Sequence, residues 1–187
     1  MKADDIKIAN RSGRKLPCIL APFIAWLLTA LLLILTIESS QADSATWALN
    51  PFNSEWGSAP NWVPVTVPNG PQDTATFDRS NTREVEITPV IEVNGIVFTE
   101  LANENPFTIR PFNLLTISGV GITNNSGITQ NLLTELFDGY SGVIQFTNSA
   151  RAGDLTVFTN NDGRTAFFGT SSAGSGTFIN NATGSST

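Results

Sequence analysis

From Thr74 onward the hydrophobic positions fall in short runs. Glu84-Val85-Glu86-Ile87-Thr88 sets carboxylates against aliphatic side chains at every second position, the period of a strand with one face buried and one in water. Thr74–Phe77, Gly95–Thr99, Phe107–Ile109 and Leu114–Ser118 are equally short and rich in β-branched and aromatic residues. Gly, Asn or Pro bounds each of them, as expected of strands ending in tight turns. Helical periodicity is nearly absent from this part of the chain. Only Gln130–Phe137, where Leu132, Leu133, Leu136 and Phe137 would share a helical face, competes with the strand pattern, and a turn or two of helix or a bulged strand both fit it.

Near the C-terminus the pattern repeats. Phe158-Thr159-Asn160-Asn161 returns as Phe178-Ile179-Asn180-Asn181, and Ala152-Gly153 as Ala173-Gly174. A period near twenty, built from an apolar stretch, an Asn pair and Gly-Ser turns, predicts stacked coils, because one unit of that size cannot bury its own apolar face. The expected fold is therefore all-β, a parallel β-helix (β-solenoid). Asn160, Asn161, Asn180 and Asn181 are expected at its corners, where Asn tolerates a left-handed backbone, and in ladders that bond amide to amide along the axis.

Residues 43–70 differ. Trp47, Trp56 and Trp62 stand among Pro51, Pro60, Pro64 and Pro68, a density of proline that forbids a continuous helix and confines strands to short edge pieces. A Trp/Pro-rich N-terminal cap over the end of the solenoid is the first reading. A platform of tryptophan faces for sugar rings is the other, and it makes Trp47, Trp56 and Trp62 the candidate ligand-binding residues. Residues 1–42 precede this cap. Five basic residues, Lys2 to Lys15, stand before an uncharged apolar run over 19–37, and Ser40-Gln41-Ala42 offers small residues to a signal peptidase. A signal peptide cleaved after Ala42 is expected, with a retained signal anchor as the alternative. The positive flank places residue 43 onward outside the cytoplasm in both cases. Only the run 19–37, if uncleaved, would touch a membrane.

Charge narrows the partners. Beyond Ala42 there are five arginines, no lysine and thirteen carboxylates, a net of −8. Such a surface repels phosphate backbones, so nucleic acid is not expected as a partner. The single cysteine, Cys18, precedes the apolar run, so no disulfide framework is available to the exported part. The chain has no histidine, which removes Ser-His-Asp and Cys-His nucleophilic arrangements and His-based zinc sites.

Carboxylate pairs are the remaining catalytic chemistry. Glu84 and Glu86 share a strand face about 7 Å apart, and Asp73 and Asp78 flank Thr74–Phe77, whereas a glycoside hydrolase needs two carboxylates about 5–10 Å apart across a cleft. An exposed strand face accounts for the glutamates and a turn cap on backbone N–H groups for Asp73, so no catalytic residue is expected. Asn160-Asn161-Asp162-Gly163 and Asp138-Gly139 supply oxygen atoms near turns, but the nonapeptide calcium repeat is missing, and neither metal nor cofactor is expected. Gly119-Val120-Gly121 lacks a third glycine and a following helix and reads as a turn, not a phosphate loop.

The run from Trp47 through Asn61-Trp62 to Val67-Pro68-Asn69-Gly70-Pro71-Gln72-Asp73-Thr74-Ala75-Thr76-Phe77 resembles the opening of bacterial autotransporter-associated β-strand repeat proteins. Gly121-Ile122-Thr123-Asn124-Asn125-Ser126-Gly127 and the Phe158/Phe178 repeat are similar to their first coils. The resemblance implies an exported passenger-type solenoid. Some members end in an outer-membrane β-barrel and others in a sorting tail. Here coils over 71–187 stop at Thr187 in a run of Gly, Ser and Thr, as a truncated solenoid would. The expected function is a non-catalytic structural or adhesive element at the cell surface or beyond it. The expected partners are extracellular polysaccharide, other cell-surface material and a second copy meeting the open solenoid end. The alternative is a carbohydrate-active β-helix enzyme or a carbohydrate-binding module.

Overall fold

Alternation of apolar and polar residues becomes two ladders of parallel strands. The computed structural model describes residues 43–181. The expected signal or anchor (1–42, with the apolar run 19–37 and Cys18) and the polar tail 182–187 lie outside the described residues. The strands are β1 (Ala45–Trp47), β2 (Trp62–Val63), β3 (Gly70–Phe77), β4 (Glu84–Ile87), β5 (Ile91–Phe98), β6 (Thr108–Pro111) and β7 (Leu114–Asn124). After them come β8 (Gln130–Phe137), β9 (Tyr140–Ser141), β10 (Val143–Phe146), β11 (Thr156–Asn161), β12 (Arg164–Phe167) and β13 (Thr177–Asn181). The one helical element among the described residues is a 3-10 turn of three residues, Ala59–Asn61.

One sheet runs β12-β10-β7-β5-β3-β1-β2 and the other β13-β11-β8-β6-β4. Each turn of chain lays one strand in each sheet, from β3–β4 through β5–β6, β7–β8 and β10–β11 to β12–β13, so the molecule is an all-β parallel solenoid of about five turns. Pairing is parallel along both ladders except where β2 meets β1. Coil length varies, and the first sheet absorbs shifts of register between Gly70 and Thr74 of β3 and between Val93 and Gly95 of β5, while the second sheet shows none. The inward column Val85, Ile109, Leu132, Phe158 and Phe178 is strictly in register although its steps are 24, 23, 26 and 20 residues.

Like stacks on like in the core. Phe158 lies on Phe178 with ring centroids 4.8 Å apart and planes 9° from parallel, and Phe146 on Phe167 at 4.9 Å and 9°. These separations match the spacing of neighbouring strands, so ring stacking and the hydrogen-bond ladder demand the same geometry. Nearer the N-terminal end, Phe77 and Phe98 stack in the same way, 5.3 Å apart.

Several local expectations are settled here. Gln130–Phe137 is strand β8, with Gln130, Leu132 and Thr134 buried at alternate positions. Long-range pairing to β6 and β11 decides what local periodicity left open. Gly119-Val120-Gly121 is not a turn. It lies inside β7, where Gly121 has φ +95° and forms a parallel bridge to Arg151. The four asparagines do not occupy corners. They sit within β11 and β13, while the left-handed conformations belong to Asp138, Asn148, Leu155 and Asp162 (φ 48–60°) and to glycines. The strand register, which sets Asn160 on Asn180 and Asn161 on Asn181, brings these amides one rung apart.

The ladder itself is present. Asn160 pairs in register with Asn180 and Asn161 with Asn181. Asn160 Nδ2 donates to Asn180 Oδ1 at 2.7 Å, and Asn181 Nδ2 to Asn161 Oδ1 at 3.0 Å. On the buried side, Thr134 Oγ1 (2.7 Å) and Thr165 Oγ1 (3.0 Å) both donate to Asn160 Oδ1. Asn160→Ala takes the acceptor from the buried Thr134 hydroxyl and the half-buried Thr165 hydroxyl, while the exposed Asn180 can turn to water, and a stability loss of about 1–3 kcal/mol is expected. Asn161→Ala, on the exposed ladder, should stay within about 0.5 kcal/mol. Urea denaturation of the two variants checks the contrast, and equal losses would mean that the buried ladder contributes nothing beyond the exposed one.

Candidate functional site

The three tryptophans meet around Phe77. Trp47 reaches this point because β1 places it opposite both Phe77 and Trp62. Trp62 packs edge-on against Trp47 at 5.1 Å and Trp56 at 4.9 Å, and lies 5.8 Å from Phe77. Each indole N–H donates to a backbone carbonyl: Trp47 to Thr82 at 3.0 Å, Trp56 to Pro68 at 2.9 Å, Trp62 to Trp56 at 2.7 Å. Relative exposure is 1% for Trp47 and 0% for Trp56 and Trp62. No indole face is open to a sugar ring, and the platform reading of these residues loses its geometry. The same segment occupies the first edges of both sheets. β2 bonds β1, while Ser54 O accepts from Glu86 N and Trp56 N donates to Glu86 O, each at 2.8 Å.

Asp73, Asp78, Glu84 and Glu86, the carboxylates that the sequence singles out as pairs, are engaged with neighbours. Asp73, in β3, accepts from the backbone N–H of Asp43 at 2.7 Å and of Asn69 at 3.0 Å, so it ties the chain at residue 43 to the turn before β3. Asp78 accepts from Thr99 Oγ1. Glu86 accepts from Ser54 Oγ at 3.1 Å, and Glu84 lies 3.8 Å from Arg110, whose guanidinium also bonds Glu135. That bond to Glu135 raises the Arg110 pKa above its ordinary value against an opposing effect of burial, so the group is a fixed cation. Arg110 therefore links the outer faces of β4, β6 and β8. Among the described residues, no three acidic, Cys or His side chains converge as a metal site, and no helix is long and apolar enough to cross a membrane.

The exposed site that sequence reasoning missed is a hairpin. Phe137 and Tyr140 pair antiparallel across Asp138 and Gly139, whose φ angles of 48° and 81° are those of a tight two-residue turn. The Asp-Gly pair between Phe137 and Tyr140 is the sequence signal for this element. The turn lifts two aromatic rings out of the solenoid wall: Phe137 is 54% exposed and Tyr140 72%. Phe137 is backed by Phe112, stacked at 4.3 Å and 30°, and Arg110 lies over the Phe112 ring at 5.5 Å. With Thr88, Asn113 and Asp138 these rings line a cleft of about 250 Å³. A second groove of about 560 Å³ passes Asn124, Arg151, Asp154 and Ser175. There Asp154 accepts from Ser175 Oγ and so joins adjacent coils.

The chain matches no protein-family model, no curated protein and no solved structure.

Proposed function

We propose that the protein is an exported, non-catalytic β-solenoid of the passenger type, a structural or adhesive element at the cell surface or beyond it. In this reading residues 1–42 are the signal peptide or anchor, 43–70 a cap and 71–187 the coils. The observation that carries it is the unbroken inward column of the solenoid, combined with carboxylates that bind Arg110, serine, threonine or backbone instead of facing each other across a cleft. Charges that hold neighbouring coils together support the reading of a wall that presents surface. The buried tryptophans fit the cap, since they and β2 cover the first coil. The similarity of Trp47–Phe77 to autotransporter-associated repeat proteins favours the same reading.

At the other end β12 and β13 are the last strands of their sheets, with Phe167 and Phe178 half-buried against the core. In this reading their outer edges pair with a further coil or with a second copy.

Export supplies the test. A secreted species beginning at Asp43 is expected in mass spectra of the host's extracellular fraction. Residues 19–37 still attached would replace the cleaved signal with an anchor. Retention of the chain in the cytoplasm would overturn the reading.

A further inference from the structure

We propose that the cleft beside the β8–β9 hairpin binds a neutral polysaccharide, with one sugar ring lying against Tyr140 and Phe137. The inference deepens the reading above by giving the surface element a partner, yet it rests on a different set of residues. Large aromatic faces left in water at the tip of a hairpin are unfavourable unless something covers them. Here they are also held in place: the two-residue turn fixes Phe137 opposite Tyr140, and Phe112 supports Phe137 from below. A flat apolar face presented rigidly suits the flat C–H face of a pyranose and loses little side-chain entropy on binding.

Polar groups surround those faces as a sugar's hydroxyls require. The Asp138 carboxylate accepts no hydrogen bond from the described residues and stands at the rim of the cleft, where it can take two adjacent hydroxyls. Asn113 Nδ2 makes only one long bond, 3.4 Å to Thr88 O, and so keeps donor capacity. The charge around the cleft selects among sugars. Glu84, Glu86, Glu135 and Asp138 outnumber the single Arg110, which is already bound to Glu135. A uronate, sulfate or phosphate would meet net negative potential, so the partner is uncharged. The cleft of about 250 Å³ has room for a sugar ring between Phe112, Phe137 and Tyr140.

Affinity electrophoresis of the full chain in mild detergent tests this, through gels carrying a soluble β-glucan, xylan, galactomannan or polygalacturonate. Retardation by at least one neutral polysaccharide and not by polygalacturonate is expected. Tyr140→Ala should weaken it about tenfold while Tyr140→Phe, which keeps the ring, changes it less than about twofold. Because Tyr140 is exposed, both variants should melt with the parent, and thermal denaturation verifies that loss of binding is not loss of fold. No retardation by any of the three neutral polymers, equal retardation by polygalacturonate, or a Tyr140→Ala variant that binds like the parent would overturn the proposal. So would an alanine variant that loses only self-association in light scattering, which would make the hairpin a contact between copies. Binding in the gel does not depend on cleavage or export, so either proposal can fail while the other stands.

Discussion

Gly121→Ala should cost more than about 4 kcal/mol, whereas Gly139→Ala should cost about 1–2 kcal/mol. Both glycines have positive φ, +95° and +81°, and a side chain in that region costs roughly 1–2 kcal/mol by itself. Their surroundings differ. A methyl group at Gly139 meets nothing within 4 Å, whereas at Gly121 it would stand 2.2 Å from the Arg151 carbonyl oxygen and 2.3 Å from its amide nitrogen. These are backbone atoms, and they cannot step aside. Ile122 N donates to Arg151 O at 2.8 Å, and Arg151 is bridged onward to Ser172. On the other side Gly121 is in register with Gly95, where an added Cβ would lie 2.6 Å from Gly121 O. Relieving the clash means separating coils, and a loss above about 4 kcal/mol is expected, a large part of the stability of an ordinary domain. Urea denaturation followed by circular dichroism gives the comparison. Midpoints within error of each other would show that the coils can slide apart at this point at little cost.

Trp62→Ala has the second largest expected effect. The side chain is fully buried between Trp47, Trp56 and Phe77, and truncating a buried large aromatic typically costs about 3–5 kcal/mol. It also leaves the Trp56 carbonyl without the indole N–H that now bonds it at 2.7 Å, adding about 1–3 kcal/mol if water does not enter. Trp62→Phe retains an aromatic ring in the nest and should lose only about 1–3 kcal/mol. Fluorescence of Trp47 and Trp56 during chemical denaturation reports on the same nest. A loss below about 1 kcal/mol for the alanine variant would mean that the first coil holds without it.

Most of the architecture was legible because solenoid registers copy sequence echoes. The match of Phe158-Thr159-Asn160-Asn161 to Phe178-Ile179-Asn180-Asn181 is residue for residue the pairing of β11 with β13. Glu84–Thr88 reads as a half-buried strand, and β4 is one, with Val85 and Ile87 inside. What escaped depended on neighbours distant in sequence. Nothing near Gly121 says that its backbone will lie against Arg151, thirty residues on, so a strand with an unusual φ reads as a turn. Whether the tryptophans are stacked inward or turned outward is likewise set by β1 meeting both β2 and β3. The hairpin cleft combines Thr88 after β4, Phe112 and Asn113 after β6, and Phe137–Tyr140 at the end of β8, so three successive coils contribute. Its aromatic character is visible locally, but its other wall is not.

The unequal coil lengths have a consequence for how such a wall can change. The longest step, the 26 residues from Leu132 to Phe158, is the one that contains the hairpin, while the column on either side keeps its register. Residues can therefore be added or lost at that corner without any core side chain acquiring a new neighbour. Selection can rewrite the ornament on one coil while the stack beneath it stays the same, so new surface specificity can arise here without passing through an unstable intermediate.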